Sequence, residues 1–253
     1  MSLTYTAYDV LRNLRAVTNM FFVAVLPAVL FIIFGVLQGW STASLPGGNV
    51  SAYVMVSMAA YGAITATTGI AGSAAVERLQ GWGRQLALTP MGTGGYALTK
   101  VVVAMTIAVA PVLIVFVVGA FTTASMDGLW RWLLCGVLAV GLSSVFAMYG
   151  LAAGLVFRSD SAVGAASGAL VVLAFFGNVF MPLTGGMLDI ARFTPMYGIV
   201  GLARYPVTEG QVATMDGTLQ TDNLWMLVAN VAAWELLFGA AAVLAARKAT
   251  VHR

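Results

Sequence analysis

The sequence predicts an all-α integral membrane protein. Six transmembrane helices are expected, with an N-terminal amphipathic interfacial helix and short re-entrant outer helices before the sixth span. Three observations carry this. The 253 residues are 60% hydrophobic and 8% charged, with a mean hydropathy of +0.94, too little polar surface to clothe a soluble domain. Six apolar windows, 20–38, 53–76, 101–121, 132–157, 161–180 and 223–246, reach the roughly 20 residues that cross about 30 Å of hydrocarbon. Charge falls almost entirely in the gaps between them, as expected where helices satisfy their own backbone hydrogen bonds in lipid. One polytopic domain accounts for residues 1–253.

The basic residues orient the spans. With the N-terminus placed in the cytoplasm, Arg12, Arg15, Arg78, Arg84, Lys100, Arg158, Arg247, Lys248 and Arg253 fall inside, and Arg131, Arg192 and Arg204 fall outside. That bias predicts both termini in the cytoplasm. Asp127, Asp189, Glu209, Asp216 and Asp222 all fall outside. No basic patch is interleaved with aromatics, so nucleic-acid binding has no support. Cys135 is the single cysteine and His252 the single histidine. This excludes an intrachain disulfide, a Cys or His metal cluster, and Ser-His chemistry.

Taken in order, residues 3–18 are too polar to span. Leu3, Ala7, Val10, Leu11, Leu14 and Val17 recur at helical spacing, with Asp9, Arg12 and Asn13 on the other side, as in a helix lying in the membrane interface. Asp9 and Arg12 stand at i, i+3 and can pair. Such a helix is either an anchor for span one or a lever that carries motion from the cytoplasm. Arg12 and Arg15 before an apolar stretch resemble a secretory leader, but the run is long and Leu37–Trp40 is a poor cleavage site, so an uncleaved span is expected. Pro27 should bend span one, and the loop from Gly39 to Ser51 is uncharged and turn-rich.

Span two carries Ser57, Tyr61, Thr65, Thr68 and Gly72 at steps of four, four, three and four. This stripe serves either close helix packing or the lining of a path for an amphipathic solute. The segment 77–100 follows, with Glu77, Arg78, Gly81, Gly83 and Arg84 in a compact charged run, and residues 84–90 read as a short helix ended by Pro90. Span three contains Pro111, and Arg131 opens span four, where it can snorkel outward. Gly150 and Gly154 in span four, and Gly164 and Gly168 in span five, form small-xxx-small faces. A short inner turn, Arg158–Asp160, separates these spans. Residues 181–222 are too broken by Pro182, Gly185, Gly186, Pro195 and Pro206 to cross, and fit re-entrant or interfacial helices. Glu235 lies deep in span six, where a carboxylate costs several kcal/mol unless it is paired or protonated. It is read either as a substrate or proton site, or as a structural hydrogen-bonding group.

This arrangement resembles the ABC-2 type permeases, the membrane subunits of type V ABC exporters. The resemblance covers essentially the whole chain. Its strongest part is Glu77-Arg78-x-x-Gly81, then Thr89-Pro90, then Lys100 opening span three. The second is Met181-Pro182-Leu183, Ala191 to Tyr197, and Leu202-Ala203-Arg204, similar to the outer segment that caps the translocation path. The chain departs from the family pattern at Trp82-Gly83, at Met91 to Thr93, and at Gly185-Gly186.

The resemblance implies an export permease gripped by a separate ATPase through Glu77, Arg78, Gly81, Arg84, Thr89, Pro90 and Arg158. It implies a path along Ser57, Tyr61, Thr65, Thr68, Ser167, Phe175 and Asn178, capped by Pro182, Gly185, Pro195 and Tyr197. That lining is neutral and suits an amphipathic or hydrophobic cargo such as an antibiotic, lipid or peptide, in the manner of antibiotic-resistance efflux. No G-x-x-x-x-G-K-[ST] occurs in the sequence, so the chain is expected to hold no cofactor and not to be an enzyme. ATP and Mg belong on the partner. The expected assembly pairs two permease subunits, identical or paralogous, with two ABC ATP-binding subunits in membrane lipid. The competing classes are a secondary transporter of a small solute, for which Glu235 speaks, and a non-transporting antibiotic sensor or resistance subunit.

Overall fold

The structure is a computed structural model that describes residues 3–77, 93–214 and 218–251. Helix α1 is Leu3–Leu14, and α2 is the span Thr18–Val36. Then come α3 (Val50–Glu77), α4 (Thr93–Ala120), α5 (Leu129–Leu142), α6 (Ser144–Phe157) and α7 (Asp160–Phe176). Two short helices, α8 (Gly185–Ala191) and α9 (Pro195–Thr208), precede α10 (Leu224–Val251). Among the described residues, five helical stretches are long and apolar enough to cross a membrane: Thr18–Val36, Val50–Glu77, Thr99–Ala120, Leu129–Phe157 and Leu224–Lys248; α7 is a shorter apolar helix of 17 residues. The protein is a multi-pass, membrane-embedded helical protein.

Two elements differ in extent from the sequence expectation. The helix of span three begins at Thr93, so the last part of the segment 77–100 expected as a loop, residues 93–100, belongs to that helix. Span five stops at Phe176 because Asn178 takes a left-handed backbone, φ 55°, which asparagine tolerates better than most side chains.

Helix α3 is the axis of the bundle: 78% of its span is buried, against 11% for α10. Its small side chains permit this. Gly62 faces both Pro27 of α2 and Pro111 of α4, and a Cβ there would stand 2.7 Å from Cβ of Pro111. On another face, Gly150 and Gly154 of α6 bring that helix onto the α3 backbone, where added Cβ atoms would lie 2.2 Å from the Thr68 carbonyl oxygen and 2.4 Å from that of Gly72. The small-xxx-small face of span four is thus a packing surface within the chain. That of span five is not, since a Cβ at Gly164 or Gly168 meets nothing within 4 Å.

The bends have local causes. In α2, π-helical turns at Phe21–Val25 and Ile32–Val36 bracket the α-helical stretch Leu26–Phe31 that contains Pro27. Proline lacks an N–H and its ring crowds the carbonyl four residues back, which wider turns accommodate. Span four breaks between α5 and α6 at Ser143. The Ser143 carbonyl accepts the Thr67 hydroxyl at 2.9 Å as well as the Ala147 amide at 3.2 Å, which ties the break to α3.

One end of the bundle is closed by two hairpins and the short helices. Ser44–Leu45 (β1) pairs antiparallel with Gly48–Asn49 (β2), and Gln211–Ala213 (β3) with Leu219–Thr221 (β4). Asn49 caps α3 by accepting from the Ala52 amide at 2.9 Å, and its Nδ2 donates to the Thr123 carbonyl at 2.7 Å. Arg131 folds back over Trp130 and reaches Glu209 at 3.3 Å. The expected re-entrant segment is therefore two short helices followed by a β-hairpin.

Candidate functional site

At the end opposite the hairpins, four charged side chains from three helices meet. Lys100 Nζ of α4 lies 2.8 Å from Asp9 Oδ2 of α1 and 2.8 Å from Glu77 Oε2 at the end of α3. Arg12 Nη2 lies 3.0 Å from Asp9 Oδ1 and 2.8 Å from Glu77 Oε1. The result is a closed ring of alternating charge. Asp9 and Lys100 are nearly inaccessible, at 3% and 7% side-chain exposure, so each depends on the other for its charge to be tolerated. Burial works against the charge on Arg12, but the hydrogen bond and field of Glu77, with Asp9, outweigh it and raise the guanidinium pKa. A small cavity of about 120 Å³ beside the ring is lined partly by Asn13, Asn19 and Ser73.

The local sequence explains the meeting. Helix α1 is amphipathic, and its polar side, Asp9 and Thr6, turns inward and is buried, while Tyr8, Leu11 and Leu14 face out. The expected i, i+3 pair of Asp9 and Arg12 forms, but as half of a larger network. Asp9, Arg12 and Lys100 were absent from the site residues inferred from sequence. The available signal was a lysine at the mouth of an apolar helix facing an acid on a neighbouring amphipathic one.

Of the residues expected to engage an ATPase, Glu77 belongs to this ring. Arg78, Gly81, Arg84, Thr89 and Pro90 lie outside the described residues. Arg158 is exposed, caps α6 in a left-handed conformation at φ 55°, and lies at the same end of the bundle by the alternation of helix direction.

The residues expected to line a path separate into three groups. Ser57 and Asn178 converge on Arg204 of α9, whose Nη1 donates to the Asn178 carbonyl at 2.9 Å and to Ser57 Oγ at 3.3 Å. The guanidinium lies 4.2 Å from the centroid of the Tyr53 ring and is 2% exposed. A buried cation therefore sits where the sequence predicted a neutral surface. Sequence reasoning counted Arg204 among the outer charges of the re-entrant segment, because its apolar flanks span too few residues to signal burial. Tyr61 and Phe175 converge on Phe180, with ring centroids 5.2 and 5.1 Å away, and Phe34 of α2 adds a fourth ring at 6.4 Å. Phe34 and Phe175 keep exposed faces. The remaining residues serve packing: Thr65 bonds back to the Tyr61 carbonyl, and buried Thr68 donates to that of Phe146. Ser167 is half-buried on α7.

The cap residues form a tight unit. Pro195 opens α9 and is buried, Pro182 is half-buried, and Gly185 takes φ 56° at the start of α8. Buried Tyr197 donates its hydroxyl to Asp222 Oδ2, and Arg192 binds the other oxygen of that carboxylate at 2.9 Å. Burial first, then the adjacent Asp222 carboxylate, raise the pKa of the Tyr197 phenol. Asn230 and Trp234 of α10 donate to the backbone of Arg192, Phe193 and Thr194, which fixes the α8–α9 turn to the last helix. Tyr197→Phe should cost about 1–3 kcal/mol by withdrawing a donor from a buried carboxylate. Thermal unfolding of the purified protein reads this, and an unchanged midpoint would show the bond to be dispensable.

Glu235 of α10 has one enclosed oxygen, Oε2, with no hydrogen-bond partner among the described residues. Among those residues no group of His, Cys, Asp and Glu is arranged to hold a metal. Compared with known proteins, the chain matches no family profile and no curated protein.

Proposed function

We propose that this chain is the permease subunit of an ATP-driven ABC exporter, with the ionic ring at its cytoplasmic end. In this reading α7 supplies the sixth crossing, at the lower limit of spanning length, and both termini are cytoplasmic. One observation carries the proposal. Glu77, the last residue of α3, and Lys100, about two turns into α4, are bonded to each other and to α1. A push on the segment joining α3 to α4 by a nucleotide-driven partner would move the ends of spans two and three as one body and draw α1 with them. This favours α1 as a lever over α1 as a passive anchor. With no phosphate-binding motif in the sequence, hydrolysis belongs to a separate ABC ATP-binding subunit, and a second permease subunit completes the assembly. The cargo is amphipathic or hydrophobic, and it passes near the aromatic cluster of Tyr61, Phe175 and Phe180.

The test is charge reversal at Glu77 in the reconstituted complex. Glu77→Arg is expected to leave ATP hydrolysis in place while ATP-dependent transport falls by an order of magnitude or more, since the ring then holds three cations and one anion. Unchanged transport would remove the ring from the coupling route. The enclosed Oε2 of Glu235, without a hydrogen-bond partner among the described residues, favours a second reading, a proton-linked secondary transporter. Transport driven by a proton gradient without ATP would select it.

A further inference from the structure

We infer that the elbow between α1 and α2 is a binding site for the headgroup of an anionic phospholipid. The elbow holds an open groove of about 380 Å³ lined by Tyr8, Leu11, Arg12, Arg15 and Ala16. Arg15 is exposed and forms no ion pair among the described residues. Both ion contacts of Arg12 use Nη2, which leaves its other nitrogens uncommitted among those residues. Two guanidinium groups at i, i+3 thus face one groove, and the planar N–H fork matches the oxygens of a phosphate.

The position selects a lipid over a soluble anion. Arg15 stands three residues before the first residue of the span Thr18–Val36, which places the groove at headgroup level. Leu11 and Leu14 beside it, and Phe21 and Phe22 at the start of the span, are all exposed and continue the groove as an apolar track for acyl chains. The inner side of α1 is already occupied, with Asp9 and Thr6 buried against the bundle. Arg12 is shared between groove and ring, so a headgroup held by its other nitrogens sits on the same guanidinium as Glu77. Lipid composition is thereby linked to the ionic ring, whatever drives transport.

Binding is read on the isolated full chain and so stands apart from any ATPase partnership. The purified protein is mixed with equal amounts of phosphatidylglycerol and phosphatidylcholine in detergent, and retained lipids are counted by native mass spectrometry. The wild type should retain phosphatidylglycerol preferentially, and Arg15→Gln should lower that preference about five-fold. Arg15 is the residue to change because, among the described residues, it carries no ion pair whose loss would disturb the fold. Lys248→Gln, at the far end of α10, is the control and should leave the preference intact. Equal loss in the two variants would reduce the effect to general surface charge and overturn the site. So would complete release of the lipid by millimolar inorganic phosphate, which would mark a simple anion site.

Discussion

Lys100→Met should destabilise the protein by about 3–5 kcal/mol, the range for removing one partner of a buried ion pair. Methionine preserves most of the volume of lysine, so the loss is electrostatic. Asp9, 3% exposed, would keep Arg12 as its one ion partner among the described residues, and it shares the Nη2 of that arginine with Glu77. The measurement is thermal unfolding in detergent or nanodiscs, followed by intrinsic fluorescence. The double variant Asp9→Asn/Lys100→Met supplies the check: it should recover much of the loss, because no carboxylate is then stranded. A double variant as unstable as Lys100→Met alone would mean that packing, not charge, joins α1 to α4.

Gly150→Ala should produce the second large effect, at or beyond the upper end of the ~1–3 kcal/mol typical of overpacking. The new methyl would lie 2.2 Å from the Thr68 carbonyl oxygen and 2.8 Å from its carbon. These are backbone atoms of the central helix, which cannot swing aside as a side chain can. Relief requires α6 to move away from α3, which also strains the Thr67–Ser143 and Thr68–Phe146 hydrogen bonds. Gly164→Ala is the matched control. Nothing lies within 4 Å of a Cβ there, so the isolated chain should be unaffected or gain up to about 1 kcal/mol from better helix propensity. Similar melting shifts in the two variants would contradict the packing difference between these faces. A loss at Gly164 that appears only in an assembled complex would place another chain on that face.

How far the sequence reveals this protein varies element by element. The spans are legible because a run of about 20 apolar residues has few stable alternatives to a helix in lipid. The amphipathic α1 is legible from its period, and its inner and outer faces follow from that pattern. The stripe from Ser57 to Gly72 is legible as a feature but not as a role. Its members divide between a buried arginine, an aromatic cluster and contacts with α6, according to which neighbour each meets. The break at Ser143 is hidden because Gly141 and the Ser143-Ser144 pair permit a bend without requiring one. Arg204 is misread for a related reason. A lone arginine between short apolar pieces looks like an outward-facing charge until α9 is laid across Tyr53.

By itself, then, the sequence determined a multi-pass helical membrane protein, the helical irregularity around Pro27 and its amphipathic first helix. These depend on local composition and period, which are properties of contiguous residues. Only the tertiary structure decided that Arg12 meets Glu77 across 65 positions and that Lys100 closes the ring. It also decided that Gly150 is a contact while Gly164 is open. Those facts depend on the rotation and depth of each helix against its neighbours. Rotation and depth are set by side-chain packing between distant segments, which no single stretch of sequence encodes.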